Sequence, residues 1–334
     1  MTLAWLLVQF AVCAALLGRA GYALCRSADA LAEAHGWGRS WVGMALLATV
    51  TSLPELASSV SAVAYVDAPN LAAGNLLGAC VLNLLFLVVV DALQRQPTMY
   101  ATASATHILS GAFGVVMLGA AAVGLLAGAR APAVLHVGVY SPMLLVLYVL
   151  ALKGVHAHQC DVKAADAAAC APTQRGPLRN EWRRFGLATL VVLGAGSWLP
   201  AVADGLAAAF GLSRSFVGTV LMAIVTTLPE MAVTLGAMRI GAVDMAIGNL
   251  LGSNLFNLLI LAVCDAFHVR GPLLADVAAA QTGTAVTAMA MTALVIIGLV
   301  MRPPTRTLRA VSWVSVALVV TYAFNAALLY SSGA

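Results

Sequence analysis

Long apolar runs fill most of the chain, each bounded by Gly, Pro or charge. Five fall at about 3–25, 40–65, 70–93, 105–128 and 133–152. A polar stretch follows at about 153–184. Five more runs lie at about 185–210, 215–238, 243–267, 281–301 and 308–331. Each is close to the roughly 20 residues that a helix needs to cross a bilayer. In lipid every backbone polar group must be satisfied within the protein, which leaves helices as the natural spanning element here. The pattern predicts an all-α integral membrane protein of ten transmembrane helices.

Composition agrees. The 334 residues are 62% hydrophobic and 9% charged, where a soluble domain carries about 25% charged residues. Most of this surface therefore does not face water. The first 23 residues resemble a signal peptide, with an apolar stretch ahead of "GYA". They lack a positive n-region and a second span follows soon after, so they read as an uncleaved first helix. Cys13, Cys25, Cys80 and Cys264 fall in apolar runs and read as small packing residues. Cys160 and Cys170 lie in the polar stretch, and no spacing among the six suggests a disulfide framework.

Charge sets an expected orientation. With the N-terminus outside, the inside loops hold Arg26, Arg39, Arg95, Lys153, Lys163, Arg175, Arg179, Arg183, Arg184, Arg239, Arg302, Arg306 and Arg309. The outside loops hold Arg130, Arg214 and Arg270, and Arg19 sits near the inner end of the first helix. Both termini are expected outside an inner (plasma) membrane, with the 153–184 loop in the cytoplasm.

The chain also repeats itself. "ADALAEAHGWGRSWVGMALLATVTSLPELA" at 28–57 aligns with "ADGLAAAFGLSRSFVGTVLMAIVTTLPEMA" at 203–232, and "AAGNLLGACVLNLLFL" at 72–87 with "AIGNLLGSNLFNLLIL" at 246–261. Five spans per half is an odd number, so the halves have opposite topology. The expected organisation is a first repeat at 1–152, a cytoplasmic loop at 153–184 and a second repeat at 185–334. Inverted repeats are a common plan of secondary transporters, with the ion site at the midplane between them.

Each repeat places a proline and a glutamate inside an apolar run: Pro54–Glu55 and Pro229–Glu230. A carboxylate at bilayer depth costs at least about 2.5 kcal/mol on insertion scales. Proline removes an N–H and crowds the carbonyl four residues back, here Val50 and Val225. A helix broken at mid-membrane is tolerated only where it is packed in protein or lines a cavity. The freed carbonyls stand beside Thr51 and Ser52, and beside Thr226 and Thr227. Residues 51 and 55 share a helix face. Two carboxylates with several neutral oxygens suit a hard cation such as calcium, which takes six to eight oxygen ligands. No Cys–His cluster at these depths suggests a softer metal. The plainer reading makes Glu55 and Glu230 buried structural groups, but no arginine lies in the core of these spans to pair with them. The two "GNLLG" stretches supply small residues for close helix packing. They also supply Asn75 and Asn249, with Asn83 and Asn257 further on; these amides read either as interhelical hydrogen-bonding groups or as ligands, Asn83 and Asn257 being the better ligand candidates. Ser253 and Asn254 are polar in the second repeat only.

The paired "TSLPE" and "TTLPE", each followed by a "GNLLG…N" block, resemble the two alpha-repeats of the sodium/calcium exchanger family, within the calcium:cation antiporter superfamily. The resemblance covers both halves. It implies that Thr51, Glu55, Thr226 and Glu230 bind calcium, and that sodium uses Ser52, Thr227 and Ser253 with the carbonyls of Ala48 and Ala223. Asn83 and Asn257 match central polar positions that hold water or ion. It further implies no cofactor, calcium and sodium ions as substrates, and the lipid bilayer as surroundings, with no nucleic acid partner. Three departures stand out. Val50 and Val225 replace the usual Gly, Ala79 lacks the hydroxyl that Ser253 keeps, and Asn257 stands where many prokaryotic members carry aspartate.

The expected function is a secondary antiporter exchanging calcium for sodium by alternating access, with helices one and six moving across a rigid midplane site. A proton-driven antiporter of the same fold is the alternative, with Glu55 and Glu230 titrating; that branch would carry a glutamate in the "GN" block, which is absent here. An intramembrane enzyme is disfavoured, since neither "HExxH" nor a "GxSxG" elbow occurs. A channel fits inverted repeats with buried carboxylates less well. "HAHQC", with His156, His158 and Cys160, has metal-ligand residue types but reads as part of a mobile loop. Asp29 and Asp204 are expected to pack or cap helix ends. His107, Asp91 and Asp265, near span ends, are expected to be solvated or snorkelled.

Overall fold

The computed structural model describes residues 3–34, 47–94, 98–165, 178–239, 241–303 and 311–331. These are almost wholly helical. In chain order they form α1 (Leu3–Ala34), α2 (Ala48–Thr51), α3 (Leu53–Ala64), α4 (Pro69–Leu93), α5 (Thr106–Ala127), α6 (Tyr140–Ala165), α7 (Leu178–Phe210), α8 (Ala223–Thr226), α9 (Leu228–Arg239), α10 (Val243–Phe267), α11 (Ala280–Met301) and α12 (Trp313–Ser331). A π-helical stretch, Val217–Met222, leads into α8. Among the described residues, seven helices are long and apolar enough to cross a membrane, or eight if the bent pair Arg214–Thr226 and Leu228–Arg239 is one span. The chain is a multi-pass helical membrane protein. The second broken pair, α2–α3, begins next to undescribed residues, and α12 offers a shorter apolar stretch, Trp313–Leu329.

Burial separates the helices into a centre and a rim. Two-thirds of the most apolar windows of α4 and α10 is buried (67% each), against 28% for α1 and for the Tyr140–Ala157 part of α6. The two "GNLLG" helices are thus the core of the bundle. Glycine lets α4 pack backbone to backbone. A Cβ on Gly78 would lie 2.7 Å from the Thr219 Cα, and one on Gly74 2.9 Å from the Thr219 nitrogen. This is the close approach that small residues permit between membrane helices.

The long outer helices α1 and α7 pack along each other. Each crosses the break in the other repeat at an equivalent glycine. A Cβ on Gly21 of α1 would meet the Pro229 ring, 2.7 Å from its Cβ. One on Gly196 of α7 would lie 2.9 Å from the Ala57 Cβ and 3.3 Å from the Pro54 carbonyl oxygen.

Three expectations need correction. The 153–184 stretch is partly helical: α6 continues to Ala165 and α7 starts at Leu178. Residues 155–171 contain neither Gly nor Pro and are rich in alanine, so helix propensity carries the chain beyond the apolar run. The run at 133–152 does not begin as helix. Ala133–Val134 pairs with Val137–Gly138 in a short antiparallel hairpin, with Leu135 at positive φ, and α6 starts only at Tyr140.

The span-end aspartates are not solvated. Asp265 is fully buried and accepts hydrogen bonds from the Gly138 N–H (2.8 Å), the Tyr140 hydroxyl (2.6 Å), the Ser141 hydroxyl (2.5 Å) and the Leu273 N–H (2.6 Å). Its repeat equivalent, Asp91, is also fully buried and accepts from the Ser312 N–H and the Ser315 hydroxyl, each at 2.7 Å. Backbone donors freed at helix starts take the place of water. His107 is likewise buried and pairs with Asp244 at 2.9 Å. Asp204 forms a two-point ion pair with Arg214. The side chains of Cys25, Asp29, His158, Cys160 and Cys170 lie outside the described residues.

Candidate functional site

The two proline motifs break their helices at equivalent points. α2 ends at Thr51, Ser52 leaves the helix (φ −87°, ψ 11°), and α3 resumes at Leu53 with Pro54 in its first turn. In the second repeat Thr227 takes the same conformation (φ −79°, ψ 0°) between α8 and α9, where the axis bends by 44°. Proline is accepted in a first helical turn because its missing N–H has no intrahelical partner there. Each break therefore puts a glutamate in the first turn of a new half-helix, on the side where the helix dipole favours a negative charge.

The breaks face one another across α4 and α10. Thr51, Ser52, Glu55, Asn75, Thr226, Thr227, Glu230, Asn249, Ser253 and Asn257 are all 0% exposed. The Ser52 hydroxyl donates to Glu230 Oε1 at 2.9 Å, and the Thr51 and Ser253 hydroxyls lie 3.4 Å apart. The Thr226 hydroxyl reaches across to Asn75 Oδ1 at 3.0 Å. Glu55 and Glu230 lie within each other's electrostatic reach. Both oxygens of Glu55, Oε2 of Glu230, Oδ1 of Asn249 and both amide atoms of Asn257 are buried without a hydrogen-bond partner. Native interiors rarely leave such groups unpaired, and each asks for a partner from outside the chain.

The Ala48 and Ala223 carbonyls sit one turn before the breaks. Ala48 accepts from the Thr51 hydroxyl at 3.2 Å. Ala223 accepts from the hydroxyls of Thr226 (3.4 Å) and Thr227 (2.7 Å). Asn83 is not free: its Nδ2 donates to Asn254 Oδ1 at 3.0 Å. The structure brings Thr51, Ser52 and Ser253 to Glu230 and Thr226 to Glu55, with the two carboxylates within each other's reach. It turns Thr227 back onto its own helix and ties Asn83 to a neighbouring amide.

Sequence reasoning missed a supporting layer. Asn75 Nδ2 is 3.0 Å from the hydroxyls of both Ser58 and Ser59. Asn249 Nδ2 donates to the Glu230 carbonyl (3.4 Å) and lies 3.5 Å from Thr234 Oγ1. Thr234 occupies the repeat position of Ser59, so hydroxyls at matching places after each glutamate are a readable signal.

Among the described residues no three of His, Cys, Asp or Glu converge. The site consists of two carboxylates surrounded by hydroxyl, amide and carbonyl oxygens, which is a hard-cation donor set. The sodium/calcium exchanger protein family matches residues 5–153 and 182–331, and the chain belongs to it. It is a membrane antiporter rather than an enzyme. Among its relatives, the putative antiporter CaxA of Alkalimonas amylolytica is 30% identical over 77% of this chain and 78% of its own length. The inner membrane protein YrbG of Escherichia coli K12 is 28% identical over 70% of each chain. The fold is that of the sodium-calcium exchanger NCX_Mj, which aligns over 98% of this chain and 99% of its own at a TM-score of 0.63 and 19% identity.

Proposed function

We propose that the protein exchanges calcium for sodium by alternating access at a site between Glu55 and Glu230. In this reading ten spans form two inverted five-helix repeats, with both termini outside the inner membrane and the 153–184 segment in the cytoplasm. Calcium lies between the two carboxylates, with Thr51 and Thr226 adding oxygens. Sodium ions compete for the same carboxylates, using Ser52, Ser253 and the Ala48 and Ala223 carbonyls. Both ions need the same negative pair, so one must leave before the other binds.

One observation carries the reading: two fully buried carboxylates lie within each other's electrostatic reach with only hydroxyls beside them and no cationic partner among the described residues. Two like charges in a dry interior are costly, and a divalent cation placed between them relieves both at once. Family membership and the long glycine-faced helices α1 and α7, crossing the two breaks, support transport over static binding. The partnerless Glu55 also supports a second reading, in which a proton replaces sodium as the counter-ion. Calcium titration of the purified protein in sodium-free buffer tests the site. Binding that is lost in Glu55→Gln and in Glu230→Gln, and displaced by sodium, is the expected result. Binding that survives both substitutions moves the site elsewhere.

A further inference from the structure

A π-helical turn is rare, and where one occurs it frequently marks a functional site. The stretch Val217–Met222 leads directly into α8. Ala223, the first residue of α8, donates its N–H to the Gly218 carbonyl five residues back. In an α-helix that bond would go to the Thr219 carbonyl. Reverting to it would turn α8 against the preceding chain by about 100°. The wider turn therefore needs support from its neighbours. On one side glycines let it lie against α4. A Cβ on Gly218 would stand 2.7 Å from the Leu71 carbonyl oxygen, and one on Gly78 2.7 Å from the Thr219 Cα. On the other side stands Gln281, the second residue of α11. It is 0% exposed, and its Nε2 donates to Thr219 Oγ1 at 2.9 Å and to the Ser215 carbonyl at 3.3 Å. It passes Gly74 on the way, where a Cβ would lie 3.1 Å from that nitrogen. The approach to α11 is itself tied to α4, since Asn70 Oδ1 accepts from the Ala278 N–H at 2.6 Å. The first repeat has other residue types at these places. Met44 aligns with Thr219, and the second residue of α5, His107, pairs with Asp244.

We propose that Gln281 is a positioning residue for sodium: by clasping Ser215 and Thr219 it holds the π-helical turn ahead of α8, and so fixes where the Ala223 carbonyl stands in the site. Ala223 closes the clasped turn. Glu55 and Glu230, which hold calcium, lie beyond the breaks on α3 and α9, outside it. Opening the clasp thus displaces a sodium ligand while leaving the carboxylates in place. The clasp makes the second repeat the one with a fixed carbonyl. This inference rests on the reading of the Ala223 carbonyl as a sodium ligand.

The test is sodium competition against bound radioactive calcium on the full-length purified protein, with half-saturating calcium measured beside it in sodium-free buffer. Gln281→Leu keeps most of the side-chain volume and loses both hydrogen bonds. Half-saturating sodium should rise about fivefold or more, while half-saturating calcium changes about twofold or less. Thr219→Val opens only one of the two bonds and should raise half-saturating sodium about threefold. The double variant Gln281→Leu/Thr219→Val should match Gln281→Leu alone, because the clasp is already open. Sodium and calcium shifted alike, sodium unchanged, or additive losses in the double variant would overturn the inference and leave Gln281 a packing residue. Where Gln281→Leu does not fold, the milder Thr219→Val carries the same test, and unchanged sodium competition in it contradicts the proposal. A wild-type protein whose bound calcium is not displaced by sodium overturns the functional reading first, and the inference with it.

Discussion

The surroundings of Glu55 and Glu230 are built from equivalent sequence yet solvated unequally. Glu230 receives the Ser52 hydroxyl and has the Thr51–Ser253 hydroxyl pair beside it. Glu55 has only the Thr226 hydroxyl beside it, and neither of its oxygens accepts a well-formed hydrogen bond. The residue equivalent to Ser52 is Thr227, which spends its hydroxyl on the Ala223 carbonyl at 2.7 Å. The residue equivalent to Ser253 is Ala79, which has none. Thr226, beside Glu55, points its hydroxyl at Asn75 Oδ1. A duplicated motif therefore fixes where two carboxylates sit, while single substitutions around them decide how each is satisfied. On the proposed function, Glu55 is the half that relies more on a bound cation, and Glu230 the half that the protein partly solvates itself.

Removing either charge should have the largest effect. Glu55→Gln and Glu230→Gln should each abolish sodium-driven calcium exchange. Their effects on the empty protein should differ. Glu55→Gln relieves an unpartnered buried group and should raise the melting temperature without calcium more than Glu230→Gln does, as read by thermal unfolding in chelator. A larger gain for Glu230→Gln would reverse the assigned asymmetry.

Next come the glycines where the outer helices cross the breaks. Gly21→Val and Gly196→Val place atoms into Pro229 and into Ala57, at an overpacking cost of about 1–3 kcal/mol. If α1 and α7 move during transport, both should slow exchange about tenfold or more while calcium affinity changes little. Binding and flux measured on the same preparation would separate the two effects. Loss of affinity without loss of rate would make these glycines part of a static core.

The hydroxyls should give a graded pair. Ser52→Ala removes a proposed sodium ligand, whose hydroxyl makes a charge-assisted hydrogen bond of about 1.5–3 kcal/mol to Glu230, and should raise half-saturating sodium by at least about tenfold. Thr227→Ala should cost about threefold or less, because that hydroxyl already serves a carbonyl. The smallest expected effect is a gain. Ala79→Ser supplies the hydroxyl the first repeat lacks and should lower half-saturating sodium by about threefold, measured as sodium competition against bound calcium.

Much of this architecture is legible in sequence because membranes leave few choices. Apolar runs locate the helices, and Pro54 and Pro229 locate the breaks to within two residues. The internal repeat by itself pairs the two carboxylates. What is not legible depends on long-range pairing. By sequence Asn83 and Asn257 are equivalent, and that Asn83 Nδ2 donates to Asn254, 171 residues away along the chain, is visible only in the structure. Asp91 and Asp265 read as snorkelling groups because their partners, Ser312 and Ser315 or Tyr140 and Ser141, come from distant helix starts. The hairpin at 133–138 is hidden in an apolar run, where hydropathy reports burial in lipid or protein but not backbone conformation. The extensions of α6 and α7 into the polar stretch follow propensity that the apolar pattern does not record.

The central claim is that calcium and sodium compete for the carboxylates of Glu55 and Glu230 and that the sodium gradient drives the exchange. Uptake of radioactive calcium into proteoliposomes of the purified protein tests it most directly, under an imposed sodium gradient and, separately, an imposed pH gradient. Uptake on the sodium gradient alone, absent from both Glu→Gln variants, is the predicted result. Uptake on the pH gradient alone would contradict the claim and make the protein a proton-driven antiporter of the same fold.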